Sequence, residues 1–194
     1  MTRLQTLRVE GHVVQMFVHL AGLPAAVQRL SILLVSSVDI YSWPSAGRPV
    51  DIELRSRTDL SLPEASGRAG SRGQLPGCRV KLQAARLIVE HEWADEDAVG
   101  GLLRWVKGSQ AATVILEPVS HCEADEYADS SEDYLPVTVL IQRQGRLVSA
   151  WRGGVTLNLQ GLLKELLRQC GSHGLSCGAN NTGHGIWIGR AACQ

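Results

Sequence analysis

Over residues 49–55, apolar Val50, Ile52 and Leu54 alternate with charged Asp51, Glu53 and Arg55. A period of two belongs to a strand with one dry and one wet face. The chain must therefore build a sheet that packs one surface on a core and shows the other to water. Other stretches carry related patterns. Residues 6–20 read as one strand or two, kinked at Gly11. Residues 31–41 form a β-branched run suited to a buried strand, and residues 79–91 and 111–117 return to strand pattern, the latter stopped by Pro118. Residues 136–142 and 147–151 read as a hairpin around Gln144-Gly145. Ile186-Trp187-Ile188 forms a short closing strand after an irregular glycine-rich tail.

Two helices stand out against this background. Leu159, Leu162, Leu163, Leu166, Leu167 and Cys170 fall on one helical stripe, with Asn158 as its cap. Ala98, Leu102, Trp105 and Val106 share the face of a second helix, capped by Asp95 with Glu96 and Asp97 in its first turn. Gly100-Gly101 costs that helix about 1 kcal/mol per glycine relative to alanine, so packing must hold it. Pro24 can open a further short helix through Arg29.

From residue 79 onward this order predicts an α+β fold. It would be a mixed or antiparallel sheet with two main helices, close to a ferredoxin-like βαββαβ arrangement in residues 79–190. The expected organisation is a strand-rich segment at 1–55 packed on the main domain, a flexible Arg/Gly/Ser loop at 56–77, and an α+β core at 78–194. That core would contain an acidic loop at 119–135.

The chain has 194 residues and a net charge of zero, which argues against a generally basic nucleic-acid binder. The neutrality is patterned. Residues 55–89 carry +5, residues 90–134 carry −10 and residues 135–194 carry +5. No apolar run approaches the ~18 residues of a membrane span. The first residues lack a signal peptide's apolar stretch, and the five cysteines make an odd count, so a cytoplasmic protein with reduced thiols is expected.

Five candidate sites follow. Arg55, Arg57, Arg68, Arg72, Arg79, Lys81 and Arg86 form a basic block that could track phosphates or contact a partner. The block has no aromatic residue to stack bases. Trp151 beside Arg152 is the tryptophan best placed for a partner surface. Glu123, Asp125, Glu126, Asp129, Glu132 and Asp133 make the acidic loop, whose spacing is not that of an EF-hand. Cys170, His173, Cys177 and His184 supply four ligands of the types zinc prefers, though in no standard finger or ribbon spacing. The tail glycines, with Asn180, Asn181 and Arg190, suit a contact loop and lack a Walker or GxGxxG pattern. No nucleophile motif surrounds Ser172-His173 or His121-Cys122, so no catalytic residue is assigned.

Within residues 162–190, the order of helix, glycine-rich loop and short strand resembles the RNA-binding subunits of CRISPR effector complexes, mainly through the stretch CGANNTGHG. That resemblance implies a ferredoxin-like fold and guide-RNA backbone contacts from the loop. Asn180, Asn181 and Thr182 stand where such loops usually carry basic residues.

The expected function is a non-catalytic binding or assembly subunit of a larger cytosolic complex. Its segregated basic and acidic patches would contact protein, RNA or DNA. The alternatives are a zinc-binding protein using the C-terminal Cys/His cluster and the CRISPR-like RNA-binding subunit. No cofactor is expected outside the zinc reading.

Overall fold

The computed structural model describes residues 5–11, 25–34, 38–39, 49–56, 59–62, 75–84, 86–90, 98–117, 137–143, 146–147, 155–157, 159–180 and 185–190. Its strands are β1 Thr6–Gly11, β2 Arg29–Leu34, β3 Val38–Asp39, β4 Asp51–Ser56, β5 Asp59–Leu62, β6 Arg79–Gln83 and β7 Arg86–Glu90. Helix α1 spans Ala98–Ser109. Strands β8 Thr113–Glu117, β9 Val137–Arg143, β10 Arg146–Leu147 and β11 Val155–Leu157 follow. Helix α2 covers Leu159–Gln169 and runs into a 3-10 turn at Cys170–His173, then β12 Leu175–Ala179 and β13 Ile186–Arg190.

The strands alternate between two sheets. One is seven-stranded and mixed, in the order β1-β2-β4-β6-β8-β13-β12. Its first five strands run parallel, and β13 and β12 close it as an antiparallel pair. The other sheet has the order β10-β9-β7-β5-β3, with β3, β5, β7 and β9 parallel and β11 antiparallel beside β9. Parallel neighbours need a crossover, usually a helix. Here β3, β5 and β7 themselves serve as crossovers between strands of the first sheet, so the chain coils from sheet to sheet. Among these parallel crossovers, only the one through β7 to β8 carries a described helix, α1.

The register stacks like side chains rung upon rung. Leu30, Ile52, Val80 and Val114 form one inward row, continued by Ile188. Ile32, Leu54, Leu82 and Leu116 form the next, continued by Ile186. Leu60, Leu62 and Leu87 of the second sheet join the same core, as do Leu102, Leu103 and Trp105 of α1 and Leu162 and Leu166 of α2. Truncating Leu54, which is wholly buried, to alanine should cost about 2–5 kcal/mol through lost contacts and cavity.

Helix α1 is buried on most of its surface, including Gly100 and Gly101, and it touches β7, β9, β13 and α2. Its end is latched to the turn before β6. The Leu75 N–H donates to the Ser109 carbonyl at 2.6 Å, Gly77 N–H to that of Gln110 at 3.2 Å, and Ala112 N–H to that of Cys78 at 2.8 Å.

The α+β class stands, with a mixed seven-stranded sheet and two helices among the described residues. The ferredoxin-like βαββαβ arrangement in residues 79–190 is not confirmed, because the strands of that stretch divide between two sheets and extend sheets begun upstream. The run 79–91 breaks after Gln83, and β6 and β7 enter different sheets. Residues Ala25 and Ala26 form a turn in place of a helix. Within the stretch expected as a loop at 56–77, Asp59–Leu62 is a strand with Leu60 and Leu62 buried. The tail expected to be irregular contains β12. The acidic stretch 119–135 lies outside the described residues.

Candidate functional site

The outward face of the seven-stranded sheet gathers the charged side chains. Register places Thr6, Arg29, Asp51, Arg79 and Thr113 in one outer row. The adjacent row is Arg8, Ser31, Glu53, Lys81 and Ile115, continued by Trp187 and Gly178. A third row contains Leu33, Arg55, Gln83 and Glu117. Adjacent positions in a row sit about 4.8 Å apart, the strand spacing. Side chains from different turns of the coil therefore act as neighbours.

The second and third rows are cross-linked by charge. Lys81 Nζ stands 2.7 Å from Glu117 Oε2 and 3.6 Å from Glu53 Oε1. Arg55 Nε lies 3.8 Å from Glu53 Oε1 and donates to Gln83 Oε1 at 2.7 Å. Asn180 Nδ2 donates to Glu117 Oε1 at 3.4 Å. These groups are partly shielded, so their attraction is screened less than that of fully exposed pairs.

The first row differs. Arg29 and Arg79 are exposed on either side of Asp51, and neither has an ion-pair partner among the described residues. They line a shallow concavity together with Asp51, Glu53, Lys81 and Ile115. Arg190, also exposed, follows Gly189, whose register partner is Thr113 at the end of this row.

Of the residues expected at a contact surface, Arg55, Arg79 and Lys81 come together here. Arg190 lies at the sheet's margin, and Asn180 is engaged with Glu117. Arg86 is carried by β7 in the other sheet. Arg57, Arg68, Arg72, Trp151, Arg152 and Asn181 lie outside the described residues. Arg29 and Arg8 were not expected here. Their signal was parity: Arg29 and Ser31 alternate with buried Leu30 and Ile32, as Asp51 and Glu53 do with Ile52 and Leu54.

The Cys/His group is only partly assembled. Cys170 is buried at the start of the 3-10 turn that follows α2, and Cys177 is half-buried on β12. His173 is in the intervening 3-10 turn, and His184 lies outside the described residues. No group of three or more His, Cys, Asp or Glu side chains is placed to hold a metal among the described residues. Burial pushes the Cys170 thiol up to about 12, and its hydrogen bond to Cys177 and that neighbour's charge add to the rise. Cys177 is also raised by burial, while the bond from Cys170 acts in the opposite direction. Cys78 is raised by burial, with Asp51 adding and a backbone hydrogen bond from Val50 opposing.

No helix among the described residues is long and apolar enough to cross a membrane. Compared with known protein families, curated proteins and solved structures, the chain has no match.

Proposed function

We propose that this chain is a non-catalytic binding subunit of a larger cytosolic assembly, docking an acidic protein surface on the outer face of its seven-stranded sheet. The observation that carries this reading is the pair Arg29 and Arg79. Both are exposed, aligned by register across Asp51, and without an ion-pair partner among the described residues. Guanidinium forks of this kind bind carboxylates bidentately. Half-buried Ile115, which lines the same concavity, and its register neighbour Trp187 on β13 supply the apolar contact that protein interfaces use at their centres. Two arginines interrupted by Asp51 and Glu53 match a pair of discrete carboxylates better than the continuous run of phosphates in a nucleic-acid backbone. The cytosolic placement rests on the sequence, whose five cysteines make an odd count that does not close into a disulfide framework.

The test is affinity capture from nuclease-treated native lysate, using the wild-type chain and the double variant Arg29→Glu/Arg79→Glu. A protein retained after nuclease treatment, released as salt shortens the Debye length from ~10 Å to ~3 Å, and lost from the double variant would support the proposal. The melting temperature of the variant should match that of wild type. Equal capture by the variant, or capture abolished by nuclease, would overturn it.

A further inference from the structure

Strand β12 ends the seven-stranded sheet, and among the described residues it pairs with β13 alone. The Asn180 N–H donates to the Gly185 carbonyl at 2.7 Å and fixes the parity of that ladder. Ser176 and Gly178 share the parity and direct their backbone N–H and C=O groups to Gly189 and Trp187. Leu175, Cys177 and Ala179 therefore direct theirs away from the sheet. None of the three has another backbone hydrogen bond among the described residues. Such an edge is a template for a further strand, and proteins usually guard it with charge or proline. The segment Leu175–Ala179 carries neither, whereas β1, at the sheet's other end, carries Arg8 and Glu10. The inward rows also stop here unfinished. Val114 and Ile188 lead to half-buried Cys177, and Leu116 and Ile186 lead to exposed Ala179.

We propose that β12 pairs antiparallel with β12 of a second copy of this chain, about a two-fold axis at Cys177, and joins the two seven-stranded sheets into one. A two-fold axis makes the pairing antiparallel, the sense in which β12 already meets β13 and β13 meets β8. Cys177 then faces Cys177 of the second copy, and Leu175 faces its Ala179. Each outward N–H meets a carbonyl, and each facing pair is apolar. The segment carries no charge of either sign, so a copy of itself meets no like charge at the seam. The inward rows that stop at Cys177 and Ala179 run on across the axis into the core rows of the second copy. Helix α2 packs on β12 and carries Leu167, the large apolar side chain left exposed among the described residues. The pairing sets the two α2 helices on the same side of the joined sheet. Strands β8 and β13 separate the seam from β6 and Arg79, so it leaves the Arg29–Arg79 face open and needs nothing from it.

The experiment is sedimentation velocity of the full chain under reductant, in a dilution series from about 100 μM to about 1 μM, where weak association comes apart. The wild-type chain should run at twice the monomer mass at the top of the series and as a monomer at the bottom. Ala179→Lys puts a charge on the exposed edge, and Ala179→Pro removes an N–H that has no acceptor among the described residues. Both variants should stay monomeric throughout, with the melting temperature of the diluted wild-type chain. Ala179→Lys leaves the backbone unaltered, so the test stands even where the proline variant melts early. Hydrogen exchange read by NMR locates the seam. The amides of Cys177 and Ala179 should be protected at high concentration and exposed on dilution, while those of Ser176 and Gly178 stay protected at both. A monomer at every concentration, or a dimer that survives Ala179→Lys, would overturn the proposal. So would edge amides that ignore dilution, including amides already protected in the monomer by another segment of the chain.

Discussion

The indole of Trp187 on β13 lies so close over Gly178 of β12 that a Cβ at position 178 would stand 2.9 Å from its Nε1 and 3.1 Å from its Cε2. Gly178→Ala must therefore move the indole. Gly185 is confined differently, because a Cβ there would lie 2.9 Å from the backbone oxygen of Leu116. A half-buried side chain can shift more readily than a central strand. Gly185→Ala should cost about 1–3 kcal/mol, at the overpacking scale, and Gly178→Ala less. Urea melts of both variants check the ranking. Tryptophan fluorescence should change most for Gly178→Ala.

Lys81 joins strands that lie far apart in sequence by reaching Glu117 and Glu53 across neighbouring rungs. The three side chains keep between 16% and 32% exposure, so their coupling should reach the upper end of the surface range. A double-mutant cycle with Lys81→Met and Glu117→Gln should return about 0.5–1 kcal/mol of coupling, shrinking as salt rises. A coupling near zero at low salt would mean that the pair positions nothing.

The wet and dry faces of this sheet were legible in the alternation of Val50, Ile52 and Leu54 with charged residues, and β4 buries that apolar set. The stripe from Leu159 to Cys170 likewise became α2 and its terminal turn. The coil was not legible. Period two says which side chains face inward, but not which sheet a strand joins, so the break between Gln83 and Arg86 passed as one continuous strand. Strand β12 escaped for another reason: Ser176, Cys177 and Gly178 resemble a loop, and their strand conformation comes from pairing with Ile188 and Trp187. The row of Arg29, Asp51 and Arg79 could not be read from local spacing, because its members come from three different turns of the coil.

Gln110 ends α1 in the left-handed region, at φ 58°, where a residue with a Cβ is strained by about 1–2 kcal/mol. Its side chain is exposed, while its carbonyl oxygen accepts the Gly77 N–H. Gln110→Gly keeps that hydrogen bond and removes the Cβ clash. Part of the gain is returned through the greater freedom of the unfolded chain. The net expectation is about 0.5–1 kcal/mol of added stability, read as a higher urea midpoint at unchanged slope. Gln110→Val, β-branched at the same φ, should move the midpoint down.

Alkaline pH should destabilise the reduced protein through its buried thiols. Burial, then the hydrogen bond and charge of Cys177, move Cys170 from 9.0 up to about 12, while unfolding returns it to its ordinary range. Below the unfolded value both states hold the proton, and this group contributes no pH dependence. Above it the unfolded chain releases the proton first, so stability falls as pH rises toward the folded value. Cys78 and Cys177 are displaced in the same direction and act with the same sign. Urea midpoints measured under reductant at about pH 8 and about pH 10.5 should therefore fall for the wild-type chain. Cys170→Ala should begin from a lower midpoint, because a buried side chain is truncated, and then lose less across the same interval. Parallel declines in the two proteins would show that the thiol is as easily ionised in the folded chain as in the unfolded one.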